Sequence, residues 1–169
     1  MLAYGGGDAG AFETLYARHR GGLFRFVLRA VRDRGVAEEL FQEVWVRVIE
    51  ARERYAPKAR FTTWLYTIAH NLLVDHWRKK GLSLVALDDD DVASESANPA
   101  RQAEAREALA RLVHALESLP AAQREAFLLH EEAGMSIAEI AQATGADEEA
   151  AKSRLRYALS KLKEAMDDE

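Results

Sequence analysis

The chain has 169 residues, 49% of them hydrophobic, with no cysteine and a formal net charge of −5. That length allows one medium domain or two small ones, and the lack of thiols excludes a disulfide framework and thiolate metal sites. No apolar run approaches the roughly 18 residues of a membrane span, and the start MLAYGGGDAG lacks the basic and apolar stretches of a secretory signal, so a cytoplasmic protein with no membrane insertion is expected.

Strand signals are almost absent, and apolar residues recur at three and four throughout, which predicts an all-α chain. Gly5-Gly6-Gly7 reads as a flexible start. Asp8 is placed to cap a first helix carrying Phe12, Leu15 and Tyr16, and Gly21-Gly22 is expected to break or bend it. Leu23, Phe24, Val27, Leu28 and Val31 continue the pattern. Asp33 to Gly35 reads as a turn, and a helix from Val36 to Arg54 carries Leu40, Phe41, Val44, Val48 and Ile49. Pro57 marks a charged loop. Thr62 or Thr63 is expected to cap the next helix, which runs to about Lys80 before Gly81.

Residues 82–98, LSLVALDDDDVASESAN, change character. Consecutive aspartates repel one another, and the segment reads as a flexible acidic linker. Asn98-Pro99 restarts helix, with Leu109, Leu112, Val113 and Leu116 on it. A further helix runs from Pro120 to about Ala133 and ends at Gly134. Ser136 with Glu139 three residues later is a capping box for a short helix, Ile137 to Ala143. Thr144-Gly145-Ala146 is a tight turn, and Asp147 caps a last helix to about Met166. The expected architecture is two small helical domains, residues 8–80 and 99–166, joined by the linker 81–98.

Charge is unevenly spread. Residues 1–80 hold 14 Lys/Arg against 9 Asp/Glu, whereas 106–169 hold 8 against 13. A basic first half permits contact with nucleic acid despite the negative sum.

A short helix, a glycine turn and a longer helix form the helix-turn-helix pattern. On a wheel of about 100° per residue, Ala151, Leu155, Ala158, Leu159, Leu162 and Met166 fill one arc. Lys152, Ser153, Arg154, Arg156 and Tyr157 fall outside it. They are side chains suited to phosphates and base edges. An ordinary solvated helix is the bland alternative, and Asp147, Glu148 and Glu149 suit the helix dipole but would repel a phosphate there.

The helix Phe61–Lys80 divides similarly. Phe61, Leu65, Ile68 and Leu72 form an expected core stripe. Trp64, Thr67, Asn71, Asp75 and Arg78 form a polar flank able to stack on and hydrogen-bond unpaired bases. Trp64 fits either the core or the bases, and Asp75 has Arg78 and Lys79 within helical pairing distance. Tyr66, His70 and Trp77 lie further round, on an arc expected to be exposed. His70 and His76 are six residues apart, a spacing unsuited to shared metal ligation, so no metal or cofactor is expected. No nucleophile motif or phosphate-binding glycine loop is present.

Several motifs, taken in order, resemble extracytoplasmic-function sigma factors, initiation subunits of bacterial RNA polymerase. They are Gly10-Ala-Phe-Glu-Thr-Leu-Tyr16, Ala37-Glu-Glu-Leu-Phe-Gln-Glu43, and Phe61-Thr-Thr-Trp-Leu-Tyr-Thr-Ile-Ala-His-Asn71 with Val74-Asp75. Leu119-Pro120 with Gln123-Arg-Glu125, Gly134-Met-Ser-Ile-Ala-Glu-Ile-Ala141 and Lys152-Ser-Arg-Leu-Arg156 follow. Glu39 stands where the family usually has Asp, and Glu149-Ala150-Ala151 stands where it often has Gly-Thr-Val. No further domain is expected after Met166.

The resemblance implies a non-enzymatic transcription initiation factor. Glu38, Glu39, Gln42, Glu43 and Arg47 would dock on core RNA polymerase. Lys58, Arg60, Phe61, Thr62, Trp64, Asn71, Asp75, Arg78 and Lys79 would hold the melting −10 strand. Lys152, Ser153, Arg154, Arg156 and Tyr157 would read the −35 element of promoter DNA. The negative total is then tolerable, because core polymerase brings its own DNA affinity. An anti-sigma factor is an implied partner. The alternative, a stand-alone helix-turn-helix regulator, would use only residues 120–166.

Overall fold

The protein is described here from a computed structural model, which covers residues 1–80 and 101–167, with side chains from 107 onward in the second stretch. The acidic segment 81–98 and the Asn98-Pro99 start lie outside the described residues. Among the described residues the regular elements are all helices: α1 (Leu2–Gly5), α2 (Ala9–Val31), α3 (Arg34–Glu50), α4 (Phe61–Lys79), α5 (Arg101–Ser118), α6 (Ala121–Ala133), α7 (Ile137–Thr144) and α8 (Glu148–Asp167).

Local chemistry sets most helix ends. Asp8 accepts from the Ala11 N–H at 3.2 Å to start α2. Asp33 accepts from the Val36 N–H at 2.9 Å, so α3 begins at Arg34, earlier than the periodicity predicts, and it stops at Glu50 rather than Arg54. Ser136 and Glu139 form the reciprocal capping box of α7, and Asp147 accepts from the Ala150 N–H at 2.7 Å at the start of α8. Gly134 and Gly145, with φ of 61° and 65°, close α6 and α7 in the left-handed conformation that costs glycine least.

Three local expectations do not hold. Gly5 ends a short helix, α1, whose Tyr4 ring lies 5.0 Å from that of Phe12. Gly21-Gly22 does not interrupt α2, which runs unbroken for 23 residues. Neither Thr62 nor Thr63 caps α4; Arg60 holds that position with no side-chain cap.

The first domain packs α2, α3 and α4 around Leu23, Phe26, Val27, Val44, Val48, Leu65 and Leu73. The second packs α5 to α8 around Leu116, Leu128, Leu129, Met135, Ile140, Leu155 and Leu162. Each such side chain, taken fully from water, contributes about 1.5–3 kcal/mol. The two domains also touch, through α2 against α6 and α4 against α7. Tyr66 and Trp77 are buried, although the wheel left them outside the core, while Phe61 and Ile68 are only partly buried. Conversely, Ile49, Leu159 and Met166 have apolar spacing yet are 39%, 44% and 43% exposed. Spacing marks an amphipathic face but not how far a neighbour reaches across it.

Leu155 and Leu159 therefore separate in a stability measurement. Leu155→Ala is expected to cost about 2–5 kcal/mol in chemical denaturation, and Leu159→Ala no more than about 0.5 kcal/mol.

Candidate nucleic-acid interface

The loop between α3 and α4 and the first turns of α4 enclose a cleft of about 440 Å³. Tyr55 and Trp64 form its aromatic wall, with ring centroids 4.9 Å apart and planes at 70°. Phe61 extends the cluster, 5.8 Å from Trp64 and 6.3 Å from Tyr55. Burial pushes the Tyr55 phenol above its ordinary pKa. Lys58 and Arg54 line the cleft with positive charge, and Thr63 and Thr67 supply hydroxyls. The Thr67 hydroxyl donates to the Thr63 carbonyl at 2.7 Å. The site is therefore a cleft with one aromatic wall and with cationic and hydrogen-bonding groups, a combination suited to an unpaired base and its phosphate.

The predicted flank of α4 leads out of this cleft. Trp64 and Thr67 line it. Asn71 and Arg78 are exposed further along, with Asp75 partly buried between them. Arg78 donates to Asp75 at 2.7 Å, a solvated pair of the kind that contributes well under about 1 kcal/mol. It is a pre-set group, easily redirected to another acceptor. Lys79 and Lys80 are also exposed and suit the helix C-terminus. Burial, with help from Lys80, lowers the His76 pKa. Trp64, which the sequence left between two readings, is half-buried against Tyr55 and Phe61 and also walls the cleft.

Not all residues named for this site are free. Lys58 and Arg60 are exposed in the loop and Thr62 is half-buried, but Arg60 donates to Glu139 at 3.2 Å. Thr63 is buried and its hydroxyl lies 3.2 Å from the same carboxylate. The Ser136 N–H holds Glu139 below its usual carboxylate range against the opposing effect of burial, and the Ser136 hydroxyl, Arg60 and Thr63 add to the lowering. Tyr55, Arg54 and the α7 residue Gln142, which also lines the cleft, were not named from sequence. A tyrosine in a basic loop was the available signal; its ring contact with Trp64 depends on the course of the loop, which turns at 51–54 and bends at 58–59.

On α8, Lys152, Ser153, Arg156 and Tyr157 are exposed and Arg154 is partly so. Ala151, Leu155, Ala158 and Leu162 hold the opposite face in the core. The basic arc is therefore presented outward by a helix that follows α7 across a glycine turn. Lys152 lies 4.0 Å from Glu149, so the acidic first turn partly offsets one of its cations.

On α3, Glu38, Glu39, Gln42 and Arg47 are exposed and Glu43 is partly buried. Glu38 accepts from Arg34 at 2.9 Å and Glu43 from Arg47 at 3.0 Å. Val46 and Ile49, 45% and 39% exposed, interleave with them. Exposed apolar groups among acids are what a protein partner, rather than DNA, would cover. The sequence reading missed Val46 and placed Ile49 inside.

Two family models match, Sigma-70 region 2 over residues 15–82 and Sigma-70 region 4 over residues 109–162. The RNA polymerase sigma factor CarQ of Myxococcus xanthus is 35% identical over 168 residues, 98% of this chain and 95% of that protein. The ECF RNA polymerase sigma factor SigL of Mycobacterium tuberculosis is 32% identical over 160 residues, 92% of this chain and 89% of that one. The chain is an ECF sigma factor.

As such it is a promoter-specificity factor of RNA polymerase and not an enzyme. The region 2 match accounts for the first domain, which a stand-alone helix-turn-helix regulator leaves unexplained. Among solved structures, CnrH in complex with the cytosolic domain of CnrY aligns at a TM-score of 0.70 with 25% identity, covering 99% of this chain and 96% of that one. RpoE of Bartonella quintana, solved with the anti-sigma factor NepR, shares the fold at a TM-score of 0.71 and 22% identity, over 94% of this chain and 98% of that one. No helix among the described residues is long and apolar enough to cross a membrane.

Because the Glu139 pKa is depressed, what its charge contributes is present above the ordinary glutamate range, around pH 4.3, and is lost as pH falls through its lower folded value. Wild-type stability should therefore fall more steeply than that of Glu139→Gln on acidification below about pH 4. Parallel denaturation curves across that range check this.

Proposed function

We propose that residues 8–80 act as the polymerase-docking and −10-melting domain of this sigma factor, and residues 99–166 as its −35-reading domain, with 81–98 joining them. The observation that carries this reading is the continuous polar row from the Tyr55–Trp64 cleft through Thr67 and Asn71 to Arg78. One base of the −10 strand would leave the stack, at a cost of a few kcal/mol, and enter the cleft against its Tyr55–Trp64 wall. Lys58 and Arg60 would hold its phosphate, with Phe61 and Thr62 shaping the entrance. Asn71, Asp75, Arg78 and Lys79 would direct the following nucleotides along α4.

Lys152, Ser153, Arg154, Arg156 and Tyr157 would face the −35 major groove, an orientation consistent with their exposure on a helix-turn-helix recognition helix. On α3, Glu38, Glu39, Gln42, Glu43 and Arg47, together with Val46 and Ile49, would dock on core RNA polymerase. The acids would steer and the apolar pair would be buried. The chain would work in the cytoplasm. Its structural relatives CnrH and RpoE were each solved with a second protein bound, and an anti-sigma factor is the corresponding partner proposed here.

Run-off transcription with core polymerase tests both DNA surfaces. Asn71→Ala/Arg78→Ala is expected to lower promoter opening about tenfold or more, the equivalent of ~1–3 kcal/mol, with core binding unchanged; normal run-off yield would refute the −10 assignment. Lys152→Ala/Arg156→Ala is expected to weaken promoter binding to a similar degree and to flatten its salt dependence. The loss should vanish on a template pre-melted at −10, and an unaltered response to −35 substitutions would count against this surface.

A further inference from the structure

The turn that follows α3, residues 51–54, serves two cavities. Ala51, Arg54 and Tyr55 line the cleft. Arg52 and Glu53, which lie between them in sequence, instead line a second cavity of about 370 Å³ together with Tyr4 and Gly5 to Gly7. The loop beyond this turn does little to hold itself. Among the described residues, the only backbone hydrogen bond made inside 55–60 runs from the Lys58 N–H to the Ala56 carbonyl, at 2.8 Å.

The support comes from the N-terminal segment. The Arg52 guanidinium carbon lies 6.0 Å from the centre of the Tyr4 ring, and a hydrogen bond with the Tyr4 side chain is the largest of the effects that raise the Arg52 pKa. Tyr4 is itself anchored on the core. Its ring lies 5.0 Å from that of Phe12, which meets the buried Trp45 of α3 edge to face at 5.8 Å. Gly5 adds a backbone contact. A Cβ there would lie 2.7 Å from the Arg52 carbonyl oxygen, so a larger residue would have to push the turn away. The Asp8 N–H donates to the Ala3 carbonyl at 3.0 Å, which ties the segment back to the start of α2. With only two soft dihedrals per residue, fixing the Arg52 carbonyl restricts where Arg54 and Tyr55 can stand.

We propose that the N-terminal segment is a positioning brace for the strand cleft: Tyr4 and Gly5 hold the turn at Arg52, and through it set Arg54 and Tyr55 against the captured base. This rests on the reading of the cleft as the −10 strand site. Tyr4 and Gly5 touch no DNA in this arrangement; they act through the residues that do.

The test uses holoenzyme reconstituted from the full chain and core polymerase. Its probe is a fluorescent single-stranded oligonucleotide carrying the non-template −10 strand of a promoter that the holoenzyme opens. Arg54→Ala/Tyr55→Ala is expected to weaken oligonucleotide binding about tenfold, through loss of an aromatic surface and a cation. Tyr4→Ala and Gly5→Ala should each weaken it roughly threefold to tenfold, with core affinity and the response to −35 substitutions unchanged. Gly5→Ala separates the brace from a mere defect in α1, because alanine forms helix more readily than glycine. In an Arg54→Ala/Tyr55→Ala background Tyr4→Ala should cost nothing further, whereas with Asn71→Ala its loss should multiply; general destabilisation would multiply in both. Unchanged affinity in either Tyr4→Ala or Gly5→Ala, or losses that multiply in both backgrounds, overturns the brace. Wild-type affinity in Arg54→Ala/Tyr55→Ala overturns the cleft reading and the brace with it, a result that appears with the N-terminal segment untouched.

Discussion

The structure depends on helix α4 being gripped from two sides. One arc, Leu65, Tyr66, Ala69, Leu72, Leu73 and Trp77, is dry, and α2, α3, α6 and α7 all pack against this helix. A second stripe, Thr63, Thr67 and His70, turns toward α6 and α7, where Glu139 and Glu125 meet it and Gln142 shares the cleft with Thr67. What remains wet is a narrow row through Asn71 and Arg78. A helix that packs into a core and against a neighbouring domain, and that is proposed to hold a nucleic-acid strand, has little circumference to spare, and few of its side chains are left uncommitted.

That commitment explains the unusual composition of the stretch. Apolar burial alone would favour leucine and alanine. Instead the entry is aromatic, because Tyr55, Phe61 and Trp64 pack against one another at edge-to-face and tilted angles and wall one side of the cleft. The middle carries short hydroxyls that satisfy themselves locally, as Thr67 does on the Thr63 carbonyl. The end is basic, where the helix dipole favours cations and where a phosphate would be attracted. The same basic character lets the carboxylates of the second domain sit against the first, so attraction to DNA and attraction between domains draw on one set of charges.

Much of the architecture was legible from short-range pattern. The helix positions, the capping by Asp8, Ser136 with Glu139 and Asp147, the stops at Gly134 and Gly145, and the inward residues Ala151, Leu155 and Leu162 all follow from hydrogen bonds and periodicities within a few residues. The misreadings share another cause. Gly21-Gly22 looked like a break because glycine disfavours helices, but a neighbouring helix needed the space. Leu159, Met166 and Ile49 looked buried because they are apolar at the right spacing, but no neighbour covers them fully. Tyr66 and Trp77 looked exposed because the wheel was drawn for one packing partner instead of several.

The sequence by itself determined that the chain is helical, that its halves differ in charge, that the first half carries an aromatic-to-basic helix and that the second carries a helix-turn-helix with a basic outer arc. These are properties of residues within four positions of one another, where backbone geometry is already known. Only the tertiary structure decided that Tyr55 packs against Trp64 to wall a cleft, that Glu139 closes onto Arg60, and that His70 meets Glu125 and Arg25 meets Glu132 across 55 and 107 residues of chain. Which distant carboxylate neutralises which cation depends on the course of the chain between them, and local pattern does not encode that course.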